Sequence, residues 1–254
     1  MIGTRPELDD ARLASPLARV SPVVKLAIAI VWLVGLALTL AFLPPLILAA
    51  AALVAGVWLG RIPARTFART LAPLWIAAIG IGLSNMLFAA SNGDPAAAEL
   101  LRLGPIRITV DAAVDGVALI LRIVAIAAVG AVFTLTTDPT RLADSLVQQA
   151  RISPRFAYGA LAAYQAIPRF GEDLTTLRQA RRVRGLRGGW HPSLLIGVLV
   201  LAIRHADRMA LAMDARAFGS GPRTFFRPIG WSWLDPVVGA GALAILALAL
   251  AVPS

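Results

Sequence analysis

The chain has 254 residues, 58% of them hydrophobic and only 15% charged, where a soluble domain carries about 25% charged residues; that balance is that of a membrane protein. Cysteine is absent and histidine occurs twice, which excludes disulfides, thiolate chemistry and Cys-ligated metals. The net charge of +10 is concentrated, since residues 151–227 hold 13 arginines against the four acids Glu172, Asp173, Asp207 and Asp214.

Residues 1–22 read as a polar segment at the membrane surface. Glu7, Asp9 and Asp10 precede the first apolar run, and no signal-peptide pattern is present. Ser21-Pro22 signals a helix start, with Ser as N-cap and Pro in the first turn. A first span over 23–42 follows, interrupted by Pro44-Pro45, neither of which can donate a backbone hydrogen bond. The second span, 46–60, ends in Gly56 and Gly60. Their spacing allows close helix contact but is also ordinary glycine usage. Arg61, Arg65 and Arg69 then read as a positive-inside loop, which puts the N-terminus on the cytoplasmic side.

A third span covers 71–90. The turn residues Ser91 to Pro95 follow, then a mixed segment in which Ile106 to Thr109 reads as extended. The fourth span, 111–135, carries Arg122 near its middle, where a charge costs about 2.5–3.5 kcal/mol on insertion scales. Asp115 shares its helical face but lies two turns away. Arg122 is therefore expected to be a structural charge satisfied by carbonyls or a neighbouring helix, with a place on a transport path as the alternative. Residues 23–137 thus form a four-span region.

Residues 138–230 read as a cytoplasmic helical block. Asp138-Pro139 starts an amphipathic helix with Leu142, Leu146 and Val147 opposite Arg141, Asp144, Gln148 and Gln149. Ser153-Pro154 starts a long helix that reaches Arg184, bent at Pro168 and ended by Gly185 and Gly188-Gly189. His191-Pro192 leads into a helix over 194–218, ended by Gly219 and Gly221-Pro222. Its first apolar stretch, before Arg204, is too short to span a bilayer. Residues 231–254 hold the last span. The expected fold is an all-α integral membrane protein of about five transmembrane helices, with the basic block inserted before the last.

The chemistry of an enzyme is missing. A Walker A loop needs a Gly-Lys step, and the single lysine, Lys25, follows Val24. His191 and His205 lack zinc-site spacing, and no G-x-S-x-G occurs. No catalytic residue, metal or cofactor is expected, and the apolar runs interleaved with the arginines argue against nucleic acid. Two helix ends remain, Val183-Arg184-Gly185 and Ala215-Arg216-Ala217. Each alone suits a plain C-terminus, where a cation gains about 0.3–1 kcal/mol from the helix dipole and glycine usually follows. Together they also suit docking, because guanidinium makes bidentate contacts with carboxylates.

These two peptides resemble the paired Ala-Arg-Gly-like signatures of the transmembrane T component of energy-coupling factor (ECF) transporters, a branch of the ABC importers. Similar stretches are Ser15-Pro16-Leu17 and Ser21-Pro22 with Lys25-Leu26, Thr136-Thr137-Asp138-Pro139, and Arg204-His205-Ala206-Asp207-Arg208 leading to Met213-Asp214-Ala215-Arg216. The first signature departs from the family pattern at Val183 and the second at Ala217. The resemblance implies a non-catalytic scaffold in the bilayer. It would join two cytoplasmic ATP-binding subunits, docked at Arg184 and Arg216, to a separate substrate-binding S component for a vitamin or metal ion. The competing expectation is a self-contained secondary transporter or channel with Arg122 and Asp115 along its path, against which no duplicated half is visible.

Overall fold

The computed structural model describes residues 15–39, 41–94, 96–103, 106–186, 190–219, 221, 224–225 and 227–251. The chain divides into two compact units. One comprises the described residues up to Asp138 together with those from Gly230 onward, and the other runs from Pro139 to Ile229.

The first unit begins with α1, Pro16–Arg19, and α2, Pro22–Leu38. Ser15 accepts from the N–H of Ala18 at 3.1 Å and so caps α1, which buries Leu17 and Ala18. α3 is Leu43–Val54 and runs on into a π-helical turn, Ala55–Leu59. α4 is Ala64–Phe88, the hairpin β1, Glu99–Leu103, and β2, Ile106–Thr109, follows, and then come α5, Val110–Thr136, and α9, Leu234–Ala251. Among the described residues, the helices that start at Ala64, Val110 and Leu234 are long and apolar enough to cross a membrane, whereas Pro22–Leu38 and Leu43–Leu59 are shorter.

Several boundaries differ from the expectation. α2 ends at Leu38, and Pro44 and Pro45 fall in the first turn of α3 rather than breaking α2. A fixed φ near −65° and a missing N–H suit that position. α4 starts at Ala64, so Arg65 and Arg69 belong to its first turns and are not in a loop. Ile106 to Thr109 is a strand, as expected, and its partner Glu99–Leu103 lies in the segment that showed no clear pattern. Arg107 closes this hairpin, its Nε lying 2.7 Å from Glu99 Oε1 and its Nη1 donating to the Asp94 carbonyl at 2.8 Å.

α5 is the central helix of this unit. It packs against α2, α3 and α4 and buries mostly small residues, Ala112, Gly116, Ala125, Ala128 and Ala131 among them. Small side chains let backbones approach where lipid offers no hydrophobic drive between helices. The closest approach is to α4. A methyl on Gly82 would stand 2.9 Å from the Gly116 carbonyl oxygen, and one on Gly116 would stand 2.9 Å from that of Gly82. Gly56 and Gly60 also face α5, with methyl positions 2.9 Å from Val132 and 3.2 Å from Thr136. Their spacing therefore serves packing. Trp32, Leu36, Leu48, Leu71, Val129 and Leu246 complete the core, while Leu38, Ile76 and Phe88 on the outer surface are exposed, as lipid-facing side chains are.

Polar links tie the ends of this unit together. Asp235, 2% exposed, accepts from the N–H of Ser21 at 2.7 Å and from that of Ser232 at 2.8 Å. Trp32 Nε1 donates to the Ala242 carbonyl at 3.0 Å, and Lys25 Nζ to that of Thr136 at 2.7 Å. Arg122 Nη2 donates to the carbonyl of Thr39, the C-cap of α2. Helix-terminal carbonyls lack partners within their own helix and carry partial negative charge. The guanidinium thus meets an acceptor from another helix. Asp115 is exposed near the start of α5.

Candidate functional site

The second unit holds α6, Pro139–Gln148, α7, Pro154–Val183, and α8, Pro192–Ala215. α7 and α8 begin with proline in the first turn, and α7 carries Pro168 within it. His191 caps α8 by accepting from the N–H of Ser193 through Nδ1 at 3.2 Å.

The two long helices are antiparallel. Arg181 Nη1 near the end of α7 donates to Ser193 Oγ at the start of α8 (2.8 Å). Leu177 packs on Gly197, where a methyl would stand 2.9 Å from Leu177 Cδ1. At the other end, Gly159, Ala162 and Ala166 line an apolar groove of about 470 Å³ with Ala206, Met209 and Met213. Arg184 and Arg216 therefore stand at opposite ends of the pair, separated along α8 by roughly 36 Å.

Both helix ends have the same construction. Arg184 is the C-cap of α7, with φ −78° and ψ 7°. Arg216 is the C-cap of α8, with φ −93° and ψ 15°. After Arg184, the N–H of Leu186 donates to the Arg181 carbonyl (3.1 Å) and that of Gly185 to the Arg182 carbonyl (3.0 Å). After Arg216, Phe218 donates to Met213 (3.0 Å) and Ala217 to Asp214 (2.8 Å). Each is a Schellman closure, which needs a left-handed residue just past the cap. Gly185 takes it at φ 74° and Ala217 at φ 53°. The second helix thus ends at Ala215, before the Gly219 and Gly221 expected to stop it. Gly188, Gly189 and Pro222 lie outside the described residues. Val183, Arg184, Ala215 and Arg216 are all exposed.

The surroundings of the two ends differ, and sequence reasoning missed the residues responsible. A methyl on Gly185 would have nothing within 4 Å, and Val183 is 89% exposed. At the other end, Phe218 meets the ring of Tyr158 edge-on, with centroids 6.1 Å apart and planes at 74°. The Tyr158 hydroxyl donates to Asp144 Oδ1 at 2.7 Å. Burial, then the hydrogen bond and the charge of Asp144, push the phenol up to about 12. Gln148 donates from Nε2 to the Arg227 carbonyl (3.0 Å) and accepts at Oε1 from the N–H of Ile229 (2.8 Å). These groups border a cavity of about 810 Å³. Asp144 and Gln148, expected on a solvated face of α6, are instead half-buried and bonded. The buried positions of α6 are Ala143, Ser145 and Val147 in place of the full Leu142, Leu146 and Val147 stripe.

Arg122 and Asp115 belong to the first unit and the helix-end residues to the second. Among the described residues, no group of three His, Cys, Asp or Glu side chains is placed to hold a metal ion.

A membrane unit of apolar helices and a basic unit of two antiparallel, arginine-ended helices define an all-α integral membrane protein. A family model described as CbiQ, cobalt transport protein, matches residues 14–225. An energy-coupling factor transporter transmembrane protein EcfT of Heliobacterium modesticaldum is 28% identical, over 93% of this chain and 92% of its own. One from Lactococcus lactis is 28% identical over 72% of this chain and 74% of its own. A Bifidobacterium longum protein named for ABC transporter ATP binding is 27% identical over 70% of this chain, but over only 24% of its own length. The chain belongs to the CbiQ family of cobalt transport proteins. With these relatives, that makes it a transmembrane T component of the energy-coupling factor type.

Proposed function

We propose that this chain is the membrane scaffold of an ECF-type ABC importer, coupling ATP hydrolysis by two cytoplasmic ATP-binding subunits to movement of a separate S component for a vitamin or metal ion. The observation that carries the reading is the pair of matched helix ends. Arg184 and Arg216 cap antiparallel helices with the same closure, at opposite ends. Two arginines held roughly 36 Å apart suit two partners, each offering carboxylates to a guanidinium. The match to part of a protein named for ABC transporter ATP binding supports partners of that kind.

In this reading Val183, Gly185, Ala215 and Ala217 shape the helix ends that enter the partners. The N-terminus and residues 138–230 lie on the cytoplasmic side, where clustered arginine is expected. The exposed Ile167, Leu195, Ile196, Leu199 and Ile203 form the apolar platform for the S component. Hydrolysis takes place on the partners.

The test is a gentle-detergent pull-down of the tagged chain from its native membrane. ATP-binding subunits and a small membrane protein should be recovered, and Arg184→Glu with Arg216→Glu should release the ATP-binding subunits while the chain still inserts. Undiminished recovery by the double variant would sink the reading. Substrate flux in liposomes from this chain alone would favour an autonomous transporter instead.

A further inference from the structure

The two arginine ends are built alike but held differently. At the Arg184 end, among the described residues, a methyl on Gly185 would meet nothing within 4 Å, and Val183 is almost fully exposed. Behind Arg216, the chain is caught at once. Phe218 rests against the Tyr158 ring, and Gly219, at φ 84°, lies so close to the Arg155 guanidinium that a methyl would stand 3.1 Å from its Cζ. Gln148 then binds the backbone at Arg227 and Ile229.

Ala217 shows why this end needs a latch. An alanine in the left-handed region is strained, and such strain persists only where the surroundings over-determine it. Phe218 is the residue whose N–H closes the Schellman loop on Met213. Its ring is also the one that Tyr158 holds. Tyr158 in turn is held by Asp144 of α6 at 2.7 Å.

We propose that Tyr158, oriented by Asp144, is a positioning residue for Arg216: it pins Phe218 and thereby keeps the α8 end closed around Ala217, with no aromatic counterpart at Arg184 among the described residues. The proposal rests on the reading of Arg216 as a docking residue. It makes the two docking sites inequivalent, one braced through α6 and the other held, among the described residues, by its backbone closure and the Arg181–Ser193 contact. Preorganisation raises affinity by lowering the ordering cost of association. The phenol, pushed up to about 12, remains a donor to Asp144 throughout the physiological range.

The experiment measures how much of the ATP-binding subunits is retained by the tagged full chain in the same pull-down, in two single-variant backgrounds. With Arg184→Glu, retention depends on the Arg216 end; with Arg216→Glu, it depends on the Arg184 end. Tyr158→Phe keeps the ring and loses one charge-assisted hydrogen bond. It should lower retention about tenfold, equal to about 1.4 kcal/mol, in the Arg184→Glu background and less than about twofold in the other. Asp144→Ala should act as Tyr158→Phe does, whereas Asp144→Asn, which keeps an acceptor, should restore retention. Thermal unfolding in detergent checks that the variants fold. Equal losses in both backgrounds would mean a merely structural role and overturn the proposal, as would no loss in either. If the double arginine variant retains the ATP-binding subunits undiminished, the docking reading itself falls, and this one with it.

Discussion

Gly185 and Ala217 occupy the same place in two different helix ends: each follows the arginine that caps its helix, and each carries the left-handed backbone, at φ 74° and 53°, that the closure requires. One is the residue type that takes this conformation without strain, and the other is not. The conformational cost therefore falls on the α8 end.

Ala217→Gly should accordingly stabilise that helix end by roughly 0.5–1 kcal/mol, less the entropy added to the unfolded chain. Gly185→Ala should lose about 1 kcal/mol at the α7 end. Amide hydrogen exchange at Leu186 and Phe218, whose N–H groups close the two loops, reads each change locally. Faster exchange at Phe218 in Ala217→Gly would contradict the strain argument.

The α4–α5 crossing should tolerate almost no enlargement. Gly82 and Gly116 each face the other's carbonyl oxygen at a distance that a methyl would reduce to 2.9 Å. Overpacking of this kind costs typically about 1–3 kcal/mol. Gly82→Val or Gly116→Val should lower the detergent unfolding midpoint by several degrees or abolish insertion. Gly80→Ala on the same helix, with nothing within 4 Å, should leave the midpoint unchanged.

Asp235 is buried and holds two backbone N–H groups, those of Ser21 and Ser232. Asp235→Ala would orphan both, at about 1–3 kcal/mol for each buried unsatisfied group. Limited proteolysis should then cut near residues 15–21 far faster than in the unaltered protein. An unchanged cleavage pattern would show that the clamp does not hold the first helix.

Tyr158 sets a pH dependence at the alkaline end. Its folded value, about 12, lies above the ordinary value of 10.0, so the folded state binds its proton more tightly. The resulting stability is complete below the unfolded value and is lost as pH rises through the folded one. The chain has two tyrosines. In a Tyr164→Phe variant, phenolate absorbance should therefore report Tyr158 alone and appear near pH 12. A midpoint near the ordinary value would show that neither burial nor Asp144 holds the phenol protonated.

Much of the architecture was legible from residue order. Apolar runs located the membrane helices, because no other environment accepts so many uncharged residues in sequence. Ser-Pro and Asp-Pro steps located helix starts, because proline is favourable only in the first turn. The arginine-glycine step after Val183 marked a helix end for local reasons of the same kind. Helix boundaries moved where prolines could either end one helix or start the next, as at Pro44-Pro45 and before Ala64. The strand Glu99–Leu103 was not visible, because a two-stranded pairing depends on its partner.

Residue order alone established the class of protein, the two arginine ends and most helices to within a few residues, since these follow from local hydrophobicity, backbone preference and charge; it missed α1 and placed the start of α4 at residue 71 rather than at Ala64. Packing between segments set α7 and α8 antiparallel, which puts Arg184 and Arg216 at opposite ends. It alone gave Arg122 its acceptor at Thr39, brought Asp235 to Ser21, and turned Asp144 inward onto Tyr158. Each of these pairs residues from different segments, and a hydrogen-bond partner supplied by another helix leaves no mark in the local pattern of either.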